Sequence, residues 1–225
     1  MKARLEQWLP EAEIVVGTDD GEDPFHKTLA INRAAREASG NVFAIWDSDT
    51  WVNPDAVRNL ARMIGEDPTR WGRPWVVKLK LNEAATDHVL SLGESWDGSV
   101  DHKLFGRPEH RNTYPHAPPM LLSRSAFETV HGMPEAFRGW SSEDEAFARS
   151  LHVLVGRPIT GQRGEALHLW HPRIGRTGKD LWEGQESDAA NRELGNAYRR
   201  ARTPEAMRAL INGEARGEAF LATAR

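Results

Sequence analysis

The chain is expected to be α/β, with a mixed, mostly parallel sheet flanked by helices, and three observations carry that expectation. Residues 13–17 (Glu-Ile-Val-Val-Gly) and 42–46 (Val-Phe-Ala-Ile-Trp) are short continuous apolar runs, as buried strands of a parallel sheet require. Between them Leu29, Ile31, Ala34, Ala35 and Ala38 recur at helical spacing, and Gly40 stops the helix. Both apolar runs end in acids, Thr18-Asp19-Asp20-Gly21 and Asp47-Ser48-Asp49. Strand, helix and strand make a right-handed βαβ unit, and ligands of open sheets bind beyond the carboxyl ends of the strands. The two acidic clusters are therefore expected along one rim.

The other elements follow in order. Leu5, Trp8 and Leu9 share a helical face that Pro10 ends. Asn53-Pro54-Asp55 opens a helix with Asn as cap, Pro at the first position and an acid in the first turn, and that helix runs to about Ile64. Residues 75–81 and 88–92 read as strands, the first alternating like a half-exposed ribbon. From about 93 to 119 Gly, Pro, His and Asp prevail without periodicity, the composition of a lid or binding loop. Residues 120–122 are a short strand; Ser123 or Ser125 caps a helix through Val130, and His131-Gly132-Met133-Pro134 ends it. Ser142 followed by Glu143-Asp144-Glu145 starts a further helix, whose dipole favours the acids and whose amides keep Asp144 ionised. That helix continues through Phe147, Leu151 and Leu154.

Residues 166–172 form a last strand that carries His168 and His171. Positions three apart on a regular strand face opposite sides, so both imidazoles meet one site only if the chain bends. Residues 175–184 are basic and glycine-rich, the make-up of a flap; the tail from 187 is helical, with Thr203-Pro204-Glu205 starting a second helix. One domain over 1–178, with a helical extension over 179–225 packed on it, is the expected organisation.

Composition narrows the function. At 225 residues the chain can bury a full core, and a formal charge of −4 supplies no strong positive field for nucleic acid or anionic membrane. With no cysteine there is neither a disulfide framework nor a thiolate metal site. No apolar run reaches membrane-spanning length and the first residues lack a signal-peptide pattern, so a cytoplasmic location is expected. Of nine tryptophans, Trp46, Trp51, Trp140 and Trp170 lie beside polar residues, where a flat ring can stack on a base or a sugar face, although most tryptophans are core.

Each acidic motif alone has a plain structural reading, a solvated strand end or a helix cap. Their order is more specific. With Asp47-Ser48-Asp49, then Trp140-Ser141-Ser142-Glu143-Asp144, then a strand histidine, the chain resembles a GT-A glycosyltransferase over about residues 14–172. It is similar to the large inverting family 2 and to the β-1,4-galactosyltransferase and polypeptide N-acetylgalactosaminyltransferase group. Residues 124–140, with Gly132-Met133-Pro134 and Phe137-Arg138-Gly139-Trp140, resemble the galactosyltransferase approach to its acidic motif.

The resemblance implies a Rossmann-like nucleotide-diphospho-sugar transferase fold whose usual first strand is here missing or replaced. It implies a nucleotide-sugar donor, UDP-sugar first, a divalent metal (Mn²⁺ or Mg²⁺), and inversion on transfer to an acceptor hydroxyl. Asp49 would bind the metal, with His168 as in the N-acetylgalactosaminyltransferase pattern or His171 as in the galactosyltransferase pattern. Asp47 would hold the ribose or a metal-bound water; Asp19 or Asp20 and Arg33 would hold base and ribose; Trp140 would lie against the donor. Asp144 would be the base, and Glu143 would bind acceptor or sugar hydroxyls. Ser141 and Ser142 stand where the relatives carry glycines. The acceptor is open among protein, glycan, small molecule and modified nucleic acid. A non-catalytic nucleotide- or sugar-binding domain of the same shape is the alternative reading.

Overall fold

The computed structural model describes residues 1–21, 25–101, 111–112, 116–139, 142–160, 164–171 and 186–215. The first half of the chain runs α1 (Lys2–Trp8), α2 (Lys27–Glu37), β1 (Val42–Ile45), β2 (Thr50–Val52), α3 (Pro54–Glu66), β3 (Trp71–Arg73), β4 (Val77–Lys80) and α4 (Glu83–Ser91). The second half runs β5 (Arg111–Asn112), β6 (Met120–Ser123), α5 (Arg124–Thr129), α6 (Glu143–Leu154), β7 (Ile159–Thr160), β8 (Glu165–His168), α7 (Glu186–Arg200) and α8 (Pro204–Ala215). The class is α/β, as expected, built on two four-stranded sheets ordered β1-β6-β3-β7 and β2-β8-β4-β5. Both are mixed: β6 is antiparallel to β1 and β3, β8 to β2, and β5 to β4, whereas β3–β7 and β4–β8 are parallel.

The period of two along β6 divides the core. Met120 and Leu122 face Phe43, Trp71, Phe127, Phe147 and Leu151 on one side. Leu121 faces Leu5, Val57, Leu60, Ile64 and Trp75 on the other. A strand between two partners with helices over both faces must be apolar at every position, which is why this segment shows no alternation in sequence. On α3, Val57, Leu60 and Ile64 are buried, a stripe three and four residues apart. The helix starts rest on side chains: Asn53 accepts from the Asp55 amide at 2.8 Å, Asn82 from Ala85 at 2.9 Å, and Ser123, rather than Ser125, from Ala126 at 3.0 Å. The tail helices share a core with α6 through Phe137, Ala146, Tyr198, Met207 and Leu210. Among the described residues no helix is long and apolar enough to cross a membrane.

Three expectations are corrected. Residues 13–17 form no strand, and Val16 is 60% exposed. The run instead packs on α2, where a Cβ on Gly17 would stand 2.0 Å from the Ala30 carbonyl oxygen. Apolar continuity reports burial, whereas a strand also needs a ladder partner. With no ladder there, the expected βαβ unit does not form, and the neighbour of β1 is β6. Residues 88–91 belong to α4, because the Asn82 cap and the buried face of Ala85, Thr86 and Val89 favour a helix, which leaves Leu90 exposed. The strand β3 was absent from the sequence reading; Gly72 lies so close to Ile159 that any Cβ would meet its carbonyl oxygen at 2.1 Å, so backbone proximity, not apolar pattern, makes this strand.

One side chain couples α2 to the approach to α6. Buried Asn32 accepts from the Met133 amide and donates to the Met133 carbonyl, both at 2.8 Å, and donates to Glu135 at 2.8 Å. Asn32→Ala leaves two backbone groups without those partners and is expected to lower stability by about 2–3 kcal/mol. Urea unfolding would show this as a lower midpoint at an unchanged slope.

Candidate active site at the junction of the two sheets

Asp47-Ser48-Asp49 lies in the turn by which the chain leaves one sheet at Ile45 and joins the other at Thr50. Trp46 Nε1 donates to the Thr50 carbonyl at 2.6 Å and the Thr50 amide to the Asp47 carbonyl at 3.2 Å, which tightens the turn. Because the strands on either side belong to different sheets, the two acids are sent different ways. Asp47 meets α2, and Asp49 meets the end of β8.

Register decides what Asp49 finds. Thr50 pairs with His168 across the β2–β8 ladder, and the Leu169 amide donates to the Asp49 carbonyl at 2.8 Å. The strand ends at His168; the Trp170 amide donates to Thr86 Oγ1 at 2.7 Å, and the chain bends. That bend brings His171 round to the same carboxylate. The Nε2 atoms of His168 and His171 each lie 3.4 Å from Asp49 Oδ2, with ring centroids 5.4 Å apart. One donor atom from each of the three residues falls within a 4.8 Å set. An ion about 2.1 Å from each donor imposes separations of this size, so the three residues fit a single divalent cation. Burial, with Lys78 and Lys80 adding to it against Asp49, lowers the His168 pKa and keeps the imidazole in its neutral, metal-binding form.

Asp47 enters a second cluster that the sequence reading missed at its centre. Lys27, the first residue of α2, places Nζ 3.0 Å from both Oδ atoms of Asp144, 3.1 Å from Asp47 Oδ1 and 3.7 Å from Glu143 Oε1. Burial favours a neutral amine, but Asp144, Asp47 and Glu143 outweigh it and raise the Lys27 pKa well above its ordinary value. Burial likewise opposes ionisation of Asp47, yet Lys27 and Lys78 hold its carboxyl below the usual range. Asp144 goes the other way: burial is the largest effect, Lys27 opposes it, Glu143 and Asp47 reinforce it, and the pKa stands at about 7.

This corrects the expectation that helix amides keep Asp144 ionised throughout. Its neighbours and its burial, not the start of α6, set its proton affinity. Ser142 also differs from expectation: it holds the N-cap position at φ +68° and makes no side-chain capping bond. Lys78 was missed too. It is 5% exposed, donates to the Pro118 carbonyl at 3.1 Å, and has its pKa lowered by burial against the pull of Asp47, Asp49 and Asp144. Nothing in sequence marks it: the alternation along 77–80 puts Lys78 on the polar face, opposite Val77 and Leu79, where a half-exposed ribbon meets solvent.

The remaining candidates stand apart from this cluster. Asp19 accepts the His26 amide at 2.9 Å and the Gly21 amide at 3.1 Å, so both its oxygens close their own loop. Asp20, at φ +60°, pairs with Arg33 on an exposed surface. Among the described residues neither acid hydrogen-bonds or ion-pairs with Lys27, His168 or His171. Trp51 packs edge-on to Trp8, ring centroids 5.9 Å apart, and against Trp96 at 5.7 Å, so it is a half-buried residue packed on the core. Trp140 and the 175–184 segment lie outside the described residues.

Residues 9–130 match the family model for glycosyl transferase family 2, and residues 118–160 match one described as the N-terminal domain of galactosyltransferase. Among solved structures, the mannosyltransferase PcManGT from Pyrobaculum calidifontis, in complex with GDP-Man and Mn²⁺, is similar at 18% identity and a TM-score of 0.40. The match covers 84% of this chain and 48% of that one, so the chain spans about half the length of that structure. No curated protein matches the chain.

Proposed function

We propose, for a chain that belongs to glycosyl transferase family 2, that the junction of the two sheets is the active site of an inverting, metal-dependent glycosyltransferase. Its donor is a nucleotide-diphosphate sugar, UDP-sugar first among those to be tried. The observation that carries the reading is the division of labour at one turn: Asp49 with two imidazoles on one side, and Asp47 in the Lys27 cluster with Asp144 on the other.

Asp49, His168 and His171 would hold the ion. When bound it supplies positive charge opposite the departing diphosphate. Two imidazoles beside one carboxylate favour Mn²⁺ over Mg²⁺, which prefers oxygen donors. Lys78 and Lys27 are fixed cations of the same neighbourhood. Asp144, with a pKa of about 7, is balanced between accepting and releasing a proton at neutral pH. It takes the proton from the acceptor hydroxyl while that oxygen bonds the anomeric carbon and the bond from that carbon to the nucleotide oxygen breaks. One displacement inverts the carbon. Glu143, 7% exposed, lies beside the base where a sugar or acceptor hydroxyl would be held. The nucleoside is assigned to the side of residues 18–21, with Asp20 and Arg33.

The test is calorimetry with UDP, GDP and other nucleoside diphosphates, with and without Mn²⁺. Binding is expected only with the ion, and Asp49→Ala is expected to weaken it at least about 100-fold, in line with the loss of a direct ligand rather than an outer one. No binding of any nucleotide with any divalent ion overturns the proposal. Tight binding without turnover on any acceptor favours the non-catalytic domain instead.

A further inference from the structure

The helix α7 meets the segment that carries Glu143 and Asp144 at three points. Buried Asn191 takes up both backbone groups of Arg138, accepting from its amide at 3.3 Å and donating to its carbonyl at 2.6 Å. One turn further along, Gly195 lies against Ser142, and a Cβ built there would stand 2.8 Å from Ser142 Cβ and 3.0 Å from its Oγ. Another turn on, Arg199 Nε and Nη2 hold the two carboxylate oxygens of Glu145 at 2.9 and 2.5 Å. Residues four apart form one stripe of a helix. A single face of α7 therefore grips residues 138, 142 and 145, on both sides of the acidic pair.

Two unfavourable local choices make sense only through that grip. Ser142 adopts φ +68°, a conformation non-glycine residues hold when their surroundings force it. Gly195 occupies the interior of a helix, where alanine is intrinsically better. The closeness of Ser142 explains the missing side chain, and the contact in turn holds Ser142 in place at the start of α6.

We propose that α7 is a strut that sets the position of Asp144, with Asn191, Gly195 and Arg199 as positioning residues. Its consequence for turnover rests on the transferase reading above. The added methyl of Gly195→Ala displaces Ser142 and the first turn of α6. In the full chain, hydrogen–deuterium exchange at the amides of residues 143–147 is expected to quicken. The kcat is expected to fall about tenfold with the donor KM nearly unchanged, since a misplaced base touches the reaction and not the donor. Adding Ser142→Gly removes the opposing Cβ and suits φ +68°, so the double variant is expected to recover both readouts. Arg199→Gln, at the exposed end of the stripe, gives the same signature at smaller size should Gly195→Ala not fold. Unchanged exchange and kcat in the single variants overturn the proposal, as does a loss that Ser142→Gly fails to recover. If exchange follows the expected pattern while the parent chain turns over no donor, the strut stands and the transferase reading falls.

Discussion

Asp144→Asn is expected to reduce turnover by about 10²- to 10⁴-fold, the contribution of a positioned general base, while donor binding is retained. Asparagine keeps the shape and still offers Lys27 an oxygen, so the cluster loses a proton acceptor and little of its packing. The pH dependence makes the test specific. Burial, Glu143 and Asp47 raise the Asp144 pKa to about 7 against the pull of Lys27. Only the ionised carboxylate accepts a proton, so the kcat/KM of the parent chain is expected to rise with pH through about 7 and then level off. In Asp144→Asn that limb should vanish. Initial rates across neutral pH decide the matter: undiminished turnover, or a limb that survives the substitution, removes Asp144 as the base.

Lys27→Met is expected to have the largest effect on stability. It leaves Asp47, Glu143 and Asp144 crowded around the position where Nζ now lies 3.0 to 3.7 Å from each. Removing one partner of a buried ionic group costs about 3–5 kcal/mol, and the 20% exposure of the Lys27 side chain places this case toward the lower end. The loss depends on pH. Asp144 has a folded pKa of about 7 against 3.8 for the free group, so the native state binds a proton that the unfolded chain has already released. The stabilisation from this group is complete below 3.8 and fades as pH rises toward 7. Lys27, whose pKa is raised, supports the fold across that window and up to its ordinary titration range. Without it the acids hold their protons to higher pH and the decline steepens. Urea unfolding at mildly acidic and mildly alkaline pH is expected to show a much larger loss on the alkaline side; equal losses at both would contradict the account.

What was legible in sequence was what depends on near neighbours. Asn53-Pro54-Asp55 announced α3, Gly40 followed the end of α2, and the spacing along 54–66 and 143–154 matched the faces those helices bury. Asp47, Asp49, Asp144, His168 and His171 were legible as groups worth attention. Their partners were not. Lys27 and Asp144 are 117 positions apart, and no local pattern marks a lysine as the centre of three carboxylates. Residues 13–17 and 88–92 carried the apolar content of strands, but whether such a run finds a ladder or lies on a helix depends on what packs beside it.

The sequence by itself determined the class of the fold, most helix limits and the chemical groups gathered at the site, because caps, turns and periodicity act over a few residues. Tertiary structure alone decided that both imidazoles reach Asp49, that Asp47 turns instead to Lys27, and that Asp144 holds its proton to about neutral pH. Those outcomes follow from strand register, from a bend after His168 and from burial, and each is set by contacts between segments far apart in the chain.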